Sequence, residues 1–125
     1  MTARIFAIAL LLTASPATFA LDFKPYTAEA LNAEQQAGKP VPLHFYANWC
    51  PTCRAQEKIL QQWKGDASVP GTLLVVNYDH EKELKKQLGV RTQSTLIIYQ
   101  GTAEKARLAG ETDAYKLRAA LLSAH

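Results

Sequence analysis

The sequence predicts a single α/β domain with a central mixed sheet and helices on both of its faces. Two observations support this prediction: runs of β-branched and apolar residues alternate with segments of helical apolar spacing, and glycines or polar turns separate them. The predicted order is α-β-α-β-α-β-β-α, with the first two strands parallel and the last two paired as an antiparallel hairpin. At 125 residues, of which 48% are hydrophobic and 20% charged, the chain can bury one hydrophobic core.

The first predicted helix and strand precede the two cysteines. Residues 21–26 form a short lead-in, and Thr27 is a candidate N-cap for the helix that follows. The first strand is predicted over residues 43–47. Pro40 and Pro42 flank its entry, because a proline inside a strand removes a ladder hydrogen bond.

Helix and strand signals alternate again after the cysteines. An apolar stripe at helical spacing predicts a helix over residues 54–64, and the nearly all-apolar residues 72–78 predict a strand covered on both faces. Asp79 is a candidate cap for a short charged helix over residues 80–88. The two strands joined by the 54–64 helix are expected to be parallel.

The C-terminal part of the chain predicts a hairpin and a final helix. Residues 96–99 form the third predicted strand, and residues 105–109 form its antiparallel partner after a glycine turn. Thr112 is a candidate cap for the terminal helix, whose apolar positions include Tyr115. These elements complete a sheet with helices on both sides.

The first twenty residues have the layout of a secretory signal peptide. Arg4 gives a positive start, residues 5–12 are apolar, and small and turn-forming residues lead to a cleavage site after Ala20. The alternative is an uncleaved membrane anchor, but the apolar run is too short to span a bilayer comfortably. We therefore expect a signal peptide over residues 1–20 and a domain over residues 21–125 that works in an exported compartment, the bacterial periplasm.

The only two cysteines, Cys50 and Cys53, lie two residues apart between a predicted strand and a predicted helix. A structural disulfide between them closes such a short loop that it stabilises the fold by only about 2 kcal/mol. A zinc site is the second alternative, but there is no second cysteine pair and the histidines lack ligand spacing. These histidines are His44, His80 and His125. The pair therefore favours redox chemistry, with no metal and no cofactor.

Three stretches of the chain match a known family in sequence and spacing. They are Phe-Tyr-Ala-Asn-Trp-Cys-Pro-Thr-Cys at residues 45–53, Val-Asn-Tyr-Asp at residues 76–79, and Gly-Val-Arg leading to Thr-Leu at residues 89–96. With Gly101 and the final hairpin and helix, they resemble the thioredoxin superfamily over essentially the whole domain. The exported, single-domain form is similar to periplasmic thioredoxin-like proteins. The resemblance implies a thioredoxin-like fold and a thiol-disulfide oxidoreductase.

The resemblance also implies that Cys50 attacks a substrate disulfide and that Cys53 resolves the mixed disulfide. Side chains three apart at a helix start share a face, and the positive end of the helix favours the Cys50 thiolate. Cys53 in the first turn is expected to be less exposed. Pro51 occupies a helix position where a missing N–H costs nothing. Trp49 either shields the site and offers substrates an apolar surface, or simply packs.

Two positions depart from the family pattern. The buried acid that thioredoxins carry six residues before the first cysteine is replaced by His44, and its usual lysine partner by Val75. His44 either exchanges a proton with Cys53 or is a hydrogen-bonded core histidine without a catalytic share.

The second departure is at Ser94, which stands where the family has a cis-proline that faces the dithiol and aligns substrate backbone. A cis bond before serine costs about 3–4 kcal/mol, so a trans bond is expected unless the fold imposes strain. The Ser94 hydroxyl is a candidate hydrogen-bond partner of a sulfur. Loss of the proline ring also leaves the thiols more open to metal.

The leading hypothesis is an exported reductase of protein disulfides. The alternatives are a metal-binding or metallochaperone module using the same dithiol, a disulfide oxidase or isomerase, and a non-catalytic binding domain. The expected partners are disulfide-containing proteins, and the resemblance implies a membrane electron donor of the DsbD or CcdA kind. The net charge of +3 comes from dispersed residues, so no nucleic acid partner is expected, and the protein is expected to be a monomer.

Overall fold

A computed structural model describes residues 9–12 and 20–124. Five strands form one sheet in the order β1-β3-β2-β4-β5. The elements are β1 (Asp22–Pro25), α1 (Ala28–Gln36), β2 (Pro40–Tyr46), α2 (Pro51–Gln61), β3 (Thr72–Asn77), α3 (Lys82–Leu88), β4 (Thr95–Gln100), β5 (Ala103–Ala109) and α4 (Ala114–Leu121). The predicted signal peptide lies outside the described residues except at positions 9–12 and 20, so its cleavage stays a prediction.

The predicted mixed sheet with helices on both faces is confirmed. β2 and β3 are parallel, and β4 and β5 form the antiparallel hairpin. Leu60 of α2 and Leu117 of α4 belong to the apolar cluster on one face. On the other face, Leu31 of α1 and Leu84 of α3 pack with Phe45 of β2 in a second cluster. Each face of the sheet is therefore buried by two helices, as a layered α/β domain requires.

The lead-in predicted at residues 21–26 contains a strand that the sequence did not reveal. β1 pairs in parallel with β3, from Asp22 opposite Thr72 to Pro25 opposite Val75. Its four residues include a lysine and a proline, and only Phe23 packs against the core. A strand this short has no readable alternation, and its pairing with β3 determines its conformation.

The prediction that Pro40 and Pro42 flank the strand was wrong, because both lie inside β2. Backbone groups of successive strand residues point alternately to the two neighbouring strands. The Tyr46 carbonyl accepts a hydrogen bond from the N–H of Tyr78, the residue after β3. The backbone groups of even-numbered residues in β2, including both prolines, therefore point towards β3. The register between β2 and β3 begins only at Leu43, and the two prolines therefore remove no ladder bond.

Helix α2 begins at Pro51, three residues earlier than predicted, so both cysteines belong to its N-terminus. Thr27 caps α1 as predicted, with its side chain accepting a hydrogen bond from the N–H of Ala30. Gly89 ends α3 with a φ of 66°, a left-handed conformation that glycine adopts without steric cost.

Two predicted caps were wrong. Helix α3 begins at Lys82, and its N-cap Glu81 makes no side-chain cap bond, while Asp79 bonds elsewhere. Helix α4 is capped by Asp113 rather than Thr112, and its Tyr115 is largely exposed instead of buried. Short polar runs offer several adjacent cap candidates, and backbone geometry decides among them.

Candidate functional site

Cys50 and Cys53 meet at the junction of β2 and α2. Cys50 is the N-cap of α2, and its sulfur accepts a hydrogen bond from the Cys53 N–H at 3.1 Å. Both are free thiols, with exposed fractions of 2% for Cys50 and 0% for Cys53. Pro51 occupies the first turn of the helix, where its missing N–H leaves no bond unmade. The helix start therefore brings both sulfurs to one place and aims its free N–H groups at Cys50.

Cys53 is held in its neutral form. Burial raises the pKa of its thiol to about 11, and the hydrogen bond with Cys50 acts in the same direction. Backbone groups of Ala47 and Ser94 act in the opposite direction and only partly offset the burial. The Cys53 thiol is consequently protonated at neutral pH.

His44 lies on β2, on the face that α2 covers. Its exposed fraction is 2%, and its Nε2 is 2.9 Å from Oε1 of Gln56. Burial lowers the pKa of the imidazole, and the bond to Gln56 offsets this only in part. In the register of β2 and β3, His44 lies opposite Val75. An apolar side chain therefore occupies the position where the family pattern has a lysine. These contacts fit a hydrogen-bonded core histidine, and a share in proton transfer stays a prediction.

The lowered pKa of His44 predicts a pH-dependent stability. As pH falls below about 6.5, the unfolded chain takes up a proton that the folded protein refuses, so stability drops by at most about 1.4 kcal/mol per pH unit. Denaturant unfolding between pH 7 and pH 5 should show a steeper loss for the wild type than for His44→Gln, which cannot titrate. The exposed His80→Gln serves as the control for loss of an imidazole. Parallel curves for wild type and His44→Gln would contradict a lowered pKa.

Ser94 lies across from the dithiol. A hydrogen bond with its backbone lowers the pKa of the Cys53 thiol and so partly offsets the effect of burial. Its peptide bond is trans, and its φ of 64° is left-handed, the one such value outside glycine in residues 9–12 and 20–124. The expected hydrogen bond from its hydroxyl to a sulfur is not formed, because the hydroxyl donates to the Gln93 carbonyl instead. A left-handed serine thus occupies the place where the family pattern has proline.

Trp49 is half exposed beside the cysteines, with an exposed fraction of 53%. Its indole Nε1 donates to Oδ2 of Asp79 at 2.8 Å. The carboxyl ends of the parallel strands β2 and β3 meet at one edge of the sheet, which brings these two residues together. Trp49 is therefore anchored at its nitrogen while much of its ring faces solvent. Asp79 was missed as a site residue because its sequence position resembles a helix cap.

Gln56 was also missed by the sequence analysis. It is fully buried in α2, one turn after Cys53, and its amide contacts His44 and two backbone carbonyls. The one available signal was a polar residue among the apolar positions of the predicted helix. That signal is weak, because glutamines are frequent on helix surfaces.

Within residues 9–12 and 20–124, no group of three or more histidine, cysteine, aspartate or glutamate side chains is placed to hold a metal ion. In the same part of the chain, no helix has the length and apolar character needed to cross a membrane. A cleft of about 700 Å³ beside β1 and β3 is lined by Tyr46, Val75 and Asp79 among others, but by neither cysteine.

A family model described as Thioredoxin matches residues 23–123. The chain belongs to the thioredoxin family. A thioredoxin of Alicyclobacillus acidocaldarius is 30% identical over 86 residues, which are 69% of this chain and 82% of that protein. The crystal structure of Trxlp from Edwardsiella tarda EIB202 has a TM-score of 0.76 and 35% identity, and the match covers 80% of this chain and 98% of that one. The predicted thioredoxin-like fold is thereby confirmed.

The thioredoxin-family relatives include a larger protein. The thiol:disulfide interchange protein DsbD of Salmonella paratyphi A is 33% identical over an alignment of 110 positions, and the match covers 79% of this chain but only 18% of DsbD. The thioredoxin-family relatives are thiol-disulfide oxidoreductases, and the chain has the cysteine pair that this chemistry uses. The chain is therefore a thioredoxin-like thiol-disulfide oxidoreductase.

Proposed function

We propose that the protein is an exported reductase of protein disulfides, with Cys50 as the nucleophile and Cys53 as the resolving thiol. The observation that supports these roles is the bond at the helix start: the Cys50 sulfur caps α2 and is 3.1 Å from the backbone nitrogen of the buried Cys53. The free N–H groups at the start of α2 lie beside the Cys50 sulfur, while burial raises the pKa of Cys53 and keeps that thiol protonated until it is needed.

The reaction proceeds in two exchange steps. The Cys50 thiolate attacks one sulfur of the substrate disulfide, which forms a mixed disulfide and releases the other substrate sulfur as a thiolate that takes up a proton. Cys53 then loses its proton and attacks the Cys50 sulfur, which forms the Cys50–Cys53 disulfide and releases the second substrate thiol. Two electrons pass from the protein dithiol to the substrate, and an outside donor must restore the dithiol.

The direction of electron flow is supported by the architecture of the domain. Between β3 and β4 the chain contains only α3, a helix of seven residues, and the oxidase type is expected to carry an inserted helical domain. Electron supply from a membrane donor of the DsbD or CcdA kind is supported by the likeness to part of DsbD. The protein substrates are other exported proteins with disulfides, and the protein acts as a monomer.

Insulin reduction tests the proposed activity. The reduced wild-type domain over residues 21–125 should precipitate the insulin B chain catalytically in the presence of dithiothreitol. The competing metal-binding function predicts no catalysis together with stoichiometric zinc or copper uptake, a result that would overturn the proposal.

Export has a separate test. Expression of the full chain in a bacterium, followed by fractionation and mass spectrometry, should yield a periplasmic protein that begins at Leu21. The support is the charged, apolar and small-residue layout of residues 1–20. An intact N-terminus in the cytosolic fraction would contradict export without touching the redox activity.

The raised pKa of Cys53 predicts a pH-dependent second step. Since the attacking species is the thiolate, the rate of mixed-disulfide resolution should rise about tenfold per pH unit from pH 7 towards 9. Single-turnover kinetics with a stopped-flow fluorescent substrate measure this step. A resolution rate that does not change with pH in the wild type would contradict a mechanism in which Cys53 loses its proton to solvent. If that rate becomes pH-dependent in His44→Gln, His44 is the group that accepts the proton.

A further inference from the structure

Gln56 makes three hydrogen bonds with a side chain that has no exposed surface. Its Oε1 lies 2.9 Å from Nε2 of His44, and its Nε2 donates to the carbonyls of Ser94 at 3.0 Å and Glu111 at 2.9 Å. One amide therefore joins α2, β2, the loop before β4 and the turn after β5. A buried polar side chain with every group paired restricts its neighbours to one arrangement.

The orientation of this amide follows from its partners. The two carbonyl oxygens accept hydrogen bonds and cannot donate, so the NH₂ group of Gln56 must face them. Its oxygen then faces His44 and accepts a hydrogen bond from Nε2–H. Nε2 of His44 therefore carries a proton, and the lowered pKa of the imidazole favours the neutral tautomer over the doubly protonated ring.

The loop that carries Ser94 lacks the ring that fixes φ at proline. The left-handed φ of Ser94 is unfavourable for a residue with a side chain, so it persists only where surrounding contacts impose it. The Ser94 N–H donates to the Phe45 carbonyl at 2.9 Å, and its carbonyl accepts from Gly110 at 3.1 Å and from Gln56. Gln56 is the one side chain among these three partners, since the other two contribute backbone groups.

We infer that Gln56 is a positioning residue that holds the Ser94 loop opposite the dithiol and thereby sets how well extended protein substrates are gripped. The inference rests on the proposed reductase function. Because Cys50 is almost fully buried, a substrate chain that brings its disulfide to the sulfur must come close to the neighbouring residues. These include Trp49, next to Cys50 in the chain, and Ser94, whose backbone group acts on the adjacent Cys53 thiol. A small disulfide has no such chain and depends less on the loop.

The test compares Gln56→Met with Gln61→Met, an exposed glutamine of the same helix. Each variant is assayed with insulin and with the small disulfide 5,5′-dithiobis(2-nitrobenzoate). For Gln56→Met, the loss in kcat/KM on insulin should exceed the loss on the small disulfide by about tenfold, mainly through KM, which corresponds to about 1.4 kcal/mol. Gln61→Met should behave as wild type. Equal losses on both substrates, or no loss on either, would overturn the inference.

Amide hydrogen exchange gives a readout that needs no substrate. In Gln56→Met, the amides of Ser94 and Gly110 should exchange at least about tenfold faster than in wild type and in Gln61→Met. Unchanged exchange overturns the inference even if wild-type protein proves inactive on insulin, which would contradict only the proposed function.

Gln56→Glu covers the case in which the methionine variant does not fold. A carboxylate facing two carbonyls is unfavourable, but its protonated form can again donate one hydrogen bond. After correction for the intrinsic exchange rate at each pH, the exchange rates of the Ser94 and Gly110 amides should therefore fall towards wild-type values as pH is lowered. A pH-independent ratio to wild type counts against the inference.

Discussion

Cys50→Ser will lower insulin turnover by a thousandfold or more, on the order of the losses seen when an enzyme loses its nucleophile. A serine hydroxyl is not ionised at neutral pH and cannot form a disulfide, so the first exchange step has no nucleophile. The same substitution is mild for the fold, because Cys50 is the N-cap of α2 and serine is among the best N-cap residues. The variant should therefore unfold at the wild-type temperature or slightly above it.

This separation of activity from stability makes the experiment decisive. Circular dichroism melts of wild type and Cys50→Ser provide the control, and the insulin assay provides the readout. Turnover above about a tenth of wild type, after subtraction of the rate with dithiothreitol alone, would mean that Cys50 is not the nucleophile. Loss of turnover with a large fall in unfolding temperature would contradict the capping role instead.

Cys53→Ser will stop catalysis after the first step and trap the substrate. Without the second thiol, the mixed disulfide on Cys50 has no internal route to release, so a covalent adduct should accumulate. Cys53 has no exposed surface and its sulfur lies 3.9 Å from the Phe45 carbonyl, which a serine hydroxyl can also meet as a donor. The variant should keep its fold while steady-state turnover falls to a level near that of Cys50→Ser.

Non-reducing electrophoresis and intact-mass measurement after mixing with a disulfide substrate detect the trapped adduct, and dithiothreitol should remove it. The double variant lacking both cysteines is the matched control and should form none. Continued multiple turnover by Cys53→Ser, or an adduct on a variant without Cys50, would contradict the assignment of the two roles.

The sheet was predictable where long apolar runs specify buried strands. β3 and β4 have polar residues only at their two ends, and their position and direction followed from sequence. β1 did not, because its four residues take their conformation from pairing with β3. The prediction that the prolines lie outside β2 was wrong for the same reason. Only the register with β3 shows that their nitrogens point to a part of the edge that forms no ladder bond.

The candidate site shows the same division between local and long-range information. The spacing of Cys50 and Cys53 and the proline between them indicate that the pair lies at a helix start, although α2 begins at Pro51, three residues before the predicted bound. The partners of Trp49 and His44 lie 30 and 12 residues away, and no local pattern marks them. Gln56 acts through carbonyls at Ser94 and Glu111 that only the folded chain brings together.

The reduction potential of the Cys50–Cys53 pair tests the proposed reductase most directly. Equilibration of the domain with defined dithiothreitol or glutathione buffers, followed by alkylation and mass measurement, gives the value. A reductase of protein disulfides predicts a potential close to the roughly −270 mV of thioredoxin. A value near the −120 mV of a strong oxidant would reverse the direction of electron flow and contradict the account.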